Sequence, residues 1–228
     1  MSNPFKLLNK FEKSLWLFSM SIILLSYVIS GFQGTANMLC SLVGVTSLIF
    51  IAKGHVFGML LCTFFATYYG VLSCFFRYWS EVITYVGMTL PMDIAALVSW
   101  IKNPYKDTKE VKVAKLSKKQ IAVMYTCTLA VTVAFYYILK ALDTPRLFVS
   151  TLSISTSFLA VMLTYFRSPF YALAYSANDI VLVVLWIYAS LTDASCIPIV
   201  MCFGVFLIND LYGFYNWKKM QKKQLMNK

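Results

Sequence analysis

Three aspartates lie inside long apolar runs, where ionisable side chains are rare: Asp93, Asp179 and Asp210. Placing a carboxyl group at the centre of a bilayer costs about 2.5–3.5 kcal/mol, so such residues usually face a cavity instead of lipid. At about 1.5 Å of helical rise per residue, each lies roughly 12–15 Å from one end of its run, near the midplane of a hydrocarbon core about 30 Å thick. The spacing therefore predicts one layer of three carboxyl groups.

Amides and aromatic rings accompany these acids in the sequence. Aromatic faces stack on planar heterocycles and attract cations, while Asn and Asp can bind the hydroxyl groups of a ribose. We therefore predict a closed polar chamber that binds a small molecule. Its candidate substrate-binding residues are Asn178, Asp179, Trp186, Asn209, Asp210, Tyr212, Tyr215, Asn216, Trp217, Asp93 and Trp100. In the alternative interpretation, the acids and amides only join helices by hydrogen bonds, and Trp100 and Trp217 belong to an interfacial aromatic belt.

The composition indicates an integral membrane protein, because 60% of the 228 residues are hydrophobic and only 13% are charged. A mean hydropathy of +0.71 is too apolar for a water-soluble domain. Most apolar segments are close to one bilayer thickness as helices, and helices pair every backbone group within the segment. We therefore predict an all-α membrane protein of about eight apolar helices. The segments are approximately 15–30, 37–52, 56–76, 82–101, 120–142, 147–166, 170–191 and 196–217.

Lysine and arginine residues are concentrated in alternate connections between these segments. One set of connections, which includes both ends of the chain, carries 17 of the 20 basic residues, and the other carries Arg77, Lys140 and Arg146. The positive-inside rule then places both termini in the cytoplasm, with the protein in the plasma membrane. The asymmetry also favours retention of the first segment over cleavage as a signal peptide. The connector 102–119 carries seven lysines, which suit contact with anionic lipid headgroups, and a nucleic-acid partner is not expected.

An internal repeat relates the fourth segment to the eighth. An acid, six residues, a Trp, one residue and a Lys recur as Asp93 to Lys102 and Asp210 to Lys219. Two three-helix units joined by one extra crossing have the same orientation, which is the 3+1+3 parallel repeat of SWEET-like carriers. The predicted divisions are 1–36 (tail and extra helix), 37–101 (first repeat), 102–119 (basic connector), 120–146 (linker helix), 147–217 (second repeat) and 218–228 (basic tail).

Other residues give weaker signals. The six cysteines lie in apolar runs without metal-ligand spacing, and no Gly-rich phosphate loop or catalytic triad is present. We therefore predict neither enzymatic activity nor a metal or cofactor. Pro91 is expected to kink its helix two residues before Asp93, and the lone histidine, His55, is placed in a short turn. No arginine lies at midplane depth, which disfavours a phosphorylated substrate.

Two motifs stand out in the second half of the chain: A-N-D-I-V-L-V-V-L-W, at 177–186, and N-D-L-Y-G-F-Y-N-W, at 209–217. Through these motifs the sequence resembles the PnuC family of vitamin-precursor transporters between Asn37 and Lys219. In the first half, Asp93 stands where family members often have Asn, and Val86 where a Gln is expected.

The resemblance implies uptake of nicotinamide riboside by facilitated diffusion, trapping of the product by a cytosolic kinase, and a homotrimer. Deoxynucleosides or thiamine remain alternative substrates on the same fold, as does a sugar for a SWEET-like carrier. An alternative of another class is a structural or sensory membrane subunit that transports nothing. Proton coupling stays open, because buried acids can titrate.

Overall fold

The computed structural model describes residues 4–32, 35–75, 82–106, 108–144, 146–191 and 197–226. Within these ranges a short 3₁₀ turn, Pro4–Leu7, precedes eight helices, so the all-helical prediction is confirmed. The helices are α1 (Lys10–Ile29), α2 (Thr35–Ala52), α3 (Val56–Phe75), α4 (Ile83–Ile101), α5 (Lys118–Ala141), α6 (Leu147–Tyr165), α7 (Tyr171–Ser190) and α8 (Ile197–Met226).

Six of the described helices, α1 and α4 to α8, are long and apolar enough to cross a bilayer. The apolar parts of α2 and α3 are shorter and cover Met38–Ala52 and Val56–Leu72. A helix needs about 20 residues to span the hydrocarbon core. A multi-pass membrane protein is thus confirmed, whereas the count of eight spanning helices stays a prediction.

Six helices pack in a closed ring. Around it, α2 contacts α3, α3 contacts α4, α4 contacts α6, α6 contacts α7, α7 contacts α8, and α8 contacts α2 again. Helix α1 lies outside the ring against α2 and α8, while α5 lies outside it against α6. The side chains that point into the ring are therefore shielded from lipid by helices on every side.

Helix α4 changes its geometry just before Asp93. Its first part, Ile83–Thr89, is π-helical, and the N–H of Leu90 still donates to the carbonyl of Tyr85, five residues earlier. Regular α-helix follows from Leu90, with Pro91 in its first turn, where the missing N–H of proline does least harm. The irregularity expected at Pro91 is thus a π segment ahead of it, a feature that is often found at functional sites.

Two helices are longer than their apolar segments. Helix α1 begins at Lys10 because Asn9 caps it and forms a capping box with Glu12. Helix α8 continues nine residues past Trp217 to Met226, so the described part of the predicted basic tail is helical. Lys, Gln, Leu and Met are good helix formers, and they let the helix leave the membrane without unwinding. Its 30 residues measure about 45 Å.

Candidate functional site

The three predicted acids meet inside the ring. Asp93 on α4, Asp179 on α7 and Asp210 on α8 are each at most 4% exposed. The carboxyl groups of Asp179 and Asp210 lie close enough to interact with each other. The Oδ2 atom of Asp93 accepts a hydrogen bond of 3.5 Å from the Cys62 thiol on α3, and this thiol also interacts electrostatically with Asp210. The structure therefore contains the predicted acid layer.

Two oxygens of this layer have no hydrogen-bond partner among the described residues. They are Oδ1 of Asp93 and Oδ2 of Asp179, and both are buried. A buried polar atom without a partner costs about 1–3 kcal/mol, and native proteins leave few of them. The two oxygens are therefore the atoms that a bound polar molecule would satisfy.

Two indole rings close the chamber at one end. Trp100 and Trp217 are fully buried and lie with ring centroids 5.3 Å apart, and Tyr171 packs edge-on against Trp217 at 4.8 Å. The Trp217 N–H donates to the carbonyl of Ile51 at 2.8 Å, and the Trp100 N–H donates to that of Thr164 at 3.0 Å. Both rings lie inside the protein, whereas residues of an aromatic belt would face the membrane interface.

The residues just before the two tryptophans repeat this arrangement. Asn216 donates from Nδ2 to the carbonyl of Ala52 at 2.8 Å, and Ser99 donates from Oγ to the carbonyl of Tyr165, also at 2.8 Å. The acceptors are the residues that directly follow the two tryptophan acceptors. Helices α4 and α8 therefore bind the ends of α6 and α2 through equivalent pairs of hydrogen bonds.

The turns after these acceptors are also equivalent. Gly54 and Arg167 both have left-handed backbones, with φ of 63° and 57°. One residue later, His55 accepts through Nδ1 from the backbone N–H two residues on, at 3.1 Å, and Ser168 accepts through Oγ in the same way at 3.4 Å. Each side chain thus accepts from the backbone where the turn leads into the next helix. The two halves of the ring thus share their turn geometry although the residues differ.

The two asparagines beside the acids point toward neighbouring helices. Asn178 accepts through Oδ1 from the hydroxyls of Thr156 at 2.8 Å and Ser153 at 3.3 Å, both on α6. Asn209 donates through Nδ2 to Ser19 on α1 at 2.9 Å, while its buried Oδ1 has no partner in the described part of the chain. Both amides therefore join helices, as the alternative interpretation expected.

Three other candidate residues lie on the outside of the ring, beside α1. Tyr212, Tyr215 and Asn216 line an open groove of about 310 Å³ together with the start of α1. The Tyr212 hydroxyl donates to Glu12 at 2.6 Å, and Tyr215 is 65% exposed. Trp186 is half-buried on α7. The structure therefore brings together Asp93, Asp179, Asp210 and the two buried tryptophans, and it places the other candidates elsewhere.

Three chamber residues are absent from the sequence-based set: Cys62, Tyr171 and Tyr175. Tyr175 interacts electrostatically with both Asp93 and Asp210. Tyr171 occupies the space left by Gly213, where an added Cβ would lie 3.1 Å from its hydroxyl. Tyr171 and Tyr175 precede Asp179 by eight and four residues, so a helical stripe ending at that acid identifies them.

A ring of apolar helices around a buried polar layer is the arrangement expected of a membrane transport protein, and the comparisons with known proteins agree. Residues 34–219 match the family described as nicotinamide mononucleotide transporter, and the chain belongs to this family of PnuC transporters. The nicotinamide riboside transporter PnuC of Neisseria mucosa is 20% identical over 185 residues, which are 79% of this chain and 70% of the relative. The resemblance seen in the sequence is confirmed, and the role is transport, not catalysis.

A solved structure shows the same fold. The crystal structure of the vitamin B3 transporter PnuC superimposes with a TM-score of 0.80 and 19% sequence identity. The match covers 95% of this chain and 94% of the other.

Proposed function

We propose that the protein takes up nicotinamide riboside, a cationic nucleoside, by facilitated diffusion. One observation carries the proposal: inside the ring of a PnuC-family chain, three buried acids leave two carboxyl oxygens without partners. The only ion pair formed among the described residues, Glu12 with Lys53, lies outside this layer. Carboxyl groups without a cationic neighbour attract a cation. They disfavour a substrate that carries a phosphate group.

We propose Asp93, Asp179 and Asp210 as the substrate-binding acids, with Trp100 and Trp217 as the aromatic end of the site. The pyridinium ring of the substrate would lie near the carboxyl groups, since opposite charges attract strongly where water is excluded. Ribose hydroxyls are good partners for the free carboxyl oxygens. Thiamine is also a cation and is the main alternative substrate, whereas deoxynucleosides and sugars would leave the charge of the acids uncompensated.

We also propose that the ring consists of two parallel three-helix repeats, 37–101 and 147–217, with α5 as the linker. Exchanging α2, α3 and α4 with α6, α7 and α8 reproduces every helix contact of the ring. The equivalent tryptophan bonds and turns support the same pairing. Alternating access would then be rocking of one repeat against the other around the acid layer.

The basic segments support a cytoplasmic location for both termini. Glu12 near the N-terminus pairs with Lys53 at 3.2 Å, and Gln224 near the C-terminus binds the connector. The basic connections thus lie together at one end of the bundle, called here the basic end, and the positive-inside rule would place it in the cytoplasm of a plasma-membrane protein. Phosphorylation by a cytosolic kinase would trap the substrate there, and the family resemblance favours a homotrimer.

Uptake by purified protein in liposomes tests the proposal. Labelled nicotinamide riboside, thiamine and a deoxynucleoside are compared, and the absence of transport for all three would refute it. A charge at about 5 Å is worth about 3 kcal/mol at an effective dielectric constant of 20. Because the two remaining acids still attract the substrate, we expect D179N or D210N to weaken uptake of the cations by at least about tenfold, and uptake of the neutral nucleoside less.

The matched control is D143N, since Asp143 lies exposed in a turn with a left-handed backbone that Asn also adopts. D143N should change neither the uptake of the cationic substrates nor that of the neutral nucleoside. Equal losses for cationic and neutral substrates in the chamber variants would show that the acids only hold the helices together.

A further inference from the structure

The connector between α4 and α5 forms a strap across the basic end of the ring. The strap comprises the described residues 103–106 and 108–114. Its backbone donates from Val111 to the carbonyl of Gly54 at 2.8 Å and from Ala114 to the carbonyl of Arg167 at 3.0 Å. Gly54 and Arg167 are the equivalent residues of the two turns. The strap is therefore bonded to the same point of both halves of the ring.

The strap also covers the two buried tryptophans. Val111 is fully buried and belongs to the hydrophobic cluster that contains Trp100, Trp217 and Met220, and Val113 packs against that cluster. A solute that left the chamber through this end of the ring would have to pass the indole rings and then the strap.

The strap is folded and anchored at its start. The Lys112 N–H donates to the carbonyl of Asn103 at 2.9 Å, and the Tyr105 N–H donates to that of Glu110 at 2.8 Å. These bonds make a compact hairpin that starts at the end of α4. The described residues of the strap are thus folded back on themselves beside the end of α4.

Two side chains hold this hairpin against the ring. Gln224 of α8 accepts through Oε1 from the Val113 N–H at 2.9 Å and donates through Nε2 to the Val111 carbonyl at 3.1 Å. Its side chain therefore pairs with the strap backbone as a neighbouring β-strand would. Arg167 donates through Nε to the Lys112 carbonyl at 3.3 Å and through Nη1 to Ser99 at 2.6 Å. Both side chains belong to the second half of the ring, whereas the first half holds the strap through the carbonyl of Gly54.

We propose that the strap is the gate of the basic end, and that Gln224 and Arg167 are positioning residues that keep it closed. The gate serves the transport route of the proposed function and rests on it. Because the strap is bonded to one turn of each half, it cannot keep all of these bonds when the halves separate at this end. Release of the strap is therefore part of opening. Asp93 in the acid layer lies seven residues before Trp100 on α4, so the layer is about 10 Å deeper than the indole rings that the gate covers.

Labelling of Cys62 reports the opening without any substrate, since this thiol donates to Asp93 in the acid layer. The variant used keeps Cys62 and replaces the other five cysteines with alanine. Its reaction with a membrane-impermeant thiol reagent is measured at pH 8.5, where more thiolate forms, in vesicles that expose either end. Loss of two hydrogen bonds to the strap in Q224A should raise labelling from the basic end about tenfold and leave labelling from the other end unchanged.

The control is Q221A, one turn earlier on α8, whose side chain makes no hydrogen bond to the described part of the strap. It should label like the parent.

Equal labelling of Q224A and its parent, or an equal rise in Q221A, would overturn the gate. In the chain with all its cysteines, hydrogen–deuterium exchange of residues 108–114 gives a second measurement: Q224A should exchange faster there and Q221A should not. If no labelled nucleoside is transported but Q224A still opens the basic end, the proposed function fails and the gate stands.

Discussion

The paired tryptophans give the sharpest prediction, because each indole makes the same hydrogen bond in a different half of the ring. We predict that W100F and W217F destabilise the protein by similar amounts. In each case the acceptor carbonyl keeps a second partner, since Thr164 also accepts from the Arg167 N–H at 2.9 Å and Ile51 also accepts from the Gly54 N–H at 2.8 Å. Neither carbonyl would be left without a partner.

The expected loss follows from these contacts. Loss of the indole hydrogen bond costs about 1 kcal/mol, which is the low end of the usual cost of breaking a buried hydrogen bond, because the acceptor keeps a second partner. Replacing a fully buried indole with a phenyl ring leaves a small cavity that costs about 1–2 kcal/mol more. The two rings contact each other at 5.3 Å, and such aromatic pairs contribute about 0.5–1.5 kcal/mol. Each variant should therefore lose about 2–3 kcal/mol, and the double variant less than the sum.

Thermal unfolding of purified protein in detergent is the assay. For a chain of this size, a loss of 2–3 kcal/mol corresponds to a fall in Tm of about 4–12 °C. W186F is the matched control, because Trp186 is only half-buried and its indole donates to none of the described residues. A fall below about 1 °C in either tryptophan variant, or a several-fold difference between the two, would refute the equivalence of the two contacts.

Two further predictions concern the turn between α2 and α3. Gly54 has a φ of 63°, and an added Cβ would lie 2.6 Å from the Met220 methyl group. G54A should therefore lower the free energy of unfolding by about 1–2 kcal/mol in a denaturation assay. An unchanged Tm would contradict this backbone strain. Burial, and then the charge of Lys109, lower the pKa of His55 below 6.5, so the folded state favours the neutral ring. Stability should then be full above pH 6.5 and fall as the pH drops through the lowered folded value. H55S, which would supply a hydroxyl acceptor as Ser168 does in the equivalent turn, should abolish the part of this acid sensitivity that is due to His55.

The acid layer could be predicted from the sequence because a charged residue in an apolar run is a strong signal and helical rise gives its depth. The neighbouring amides were harder to place. Adjacent residues of a helix point about 100° apart, so Asn178 cannot share the direction of Asp179, nor Asn209 that of Asp210. Each acid faces the chamber while its neighbour bonds to another helix. Helical geometry could have made this distinction, which composition and depth cannot.

Other features had little or no signal in the sequence. The strap is held largely through backbone N–H and carbonyl groups, which every residue type except proline provides. Its lysines suggested only topology and contact with lipid. Tyr171 and Tyr175 were detectable as a stripe with Asp179, but aromatic residues are frequent throughout the apolar runs. Such tertiary contacts depend on which helices become neighbours.

The acceptors of the indole hydrogen bonds affect how far the sequences of the two halves could diverge. Both are main-chain carbonyls, at Ile51 and Thr164, so the side chain at either position does not affect the bond. Substitutions could remove all sequence similarity between α2 and α6 without breaking the two indole hydrogen bonds, provided that Trp100 and Trp217 remain. If the halves share an ancestor, their sequence similarity would then persist mainly in α4 and α8, which donate the indole hydrogen bonds. It would be nearly lost in α2 and α6, which accept them.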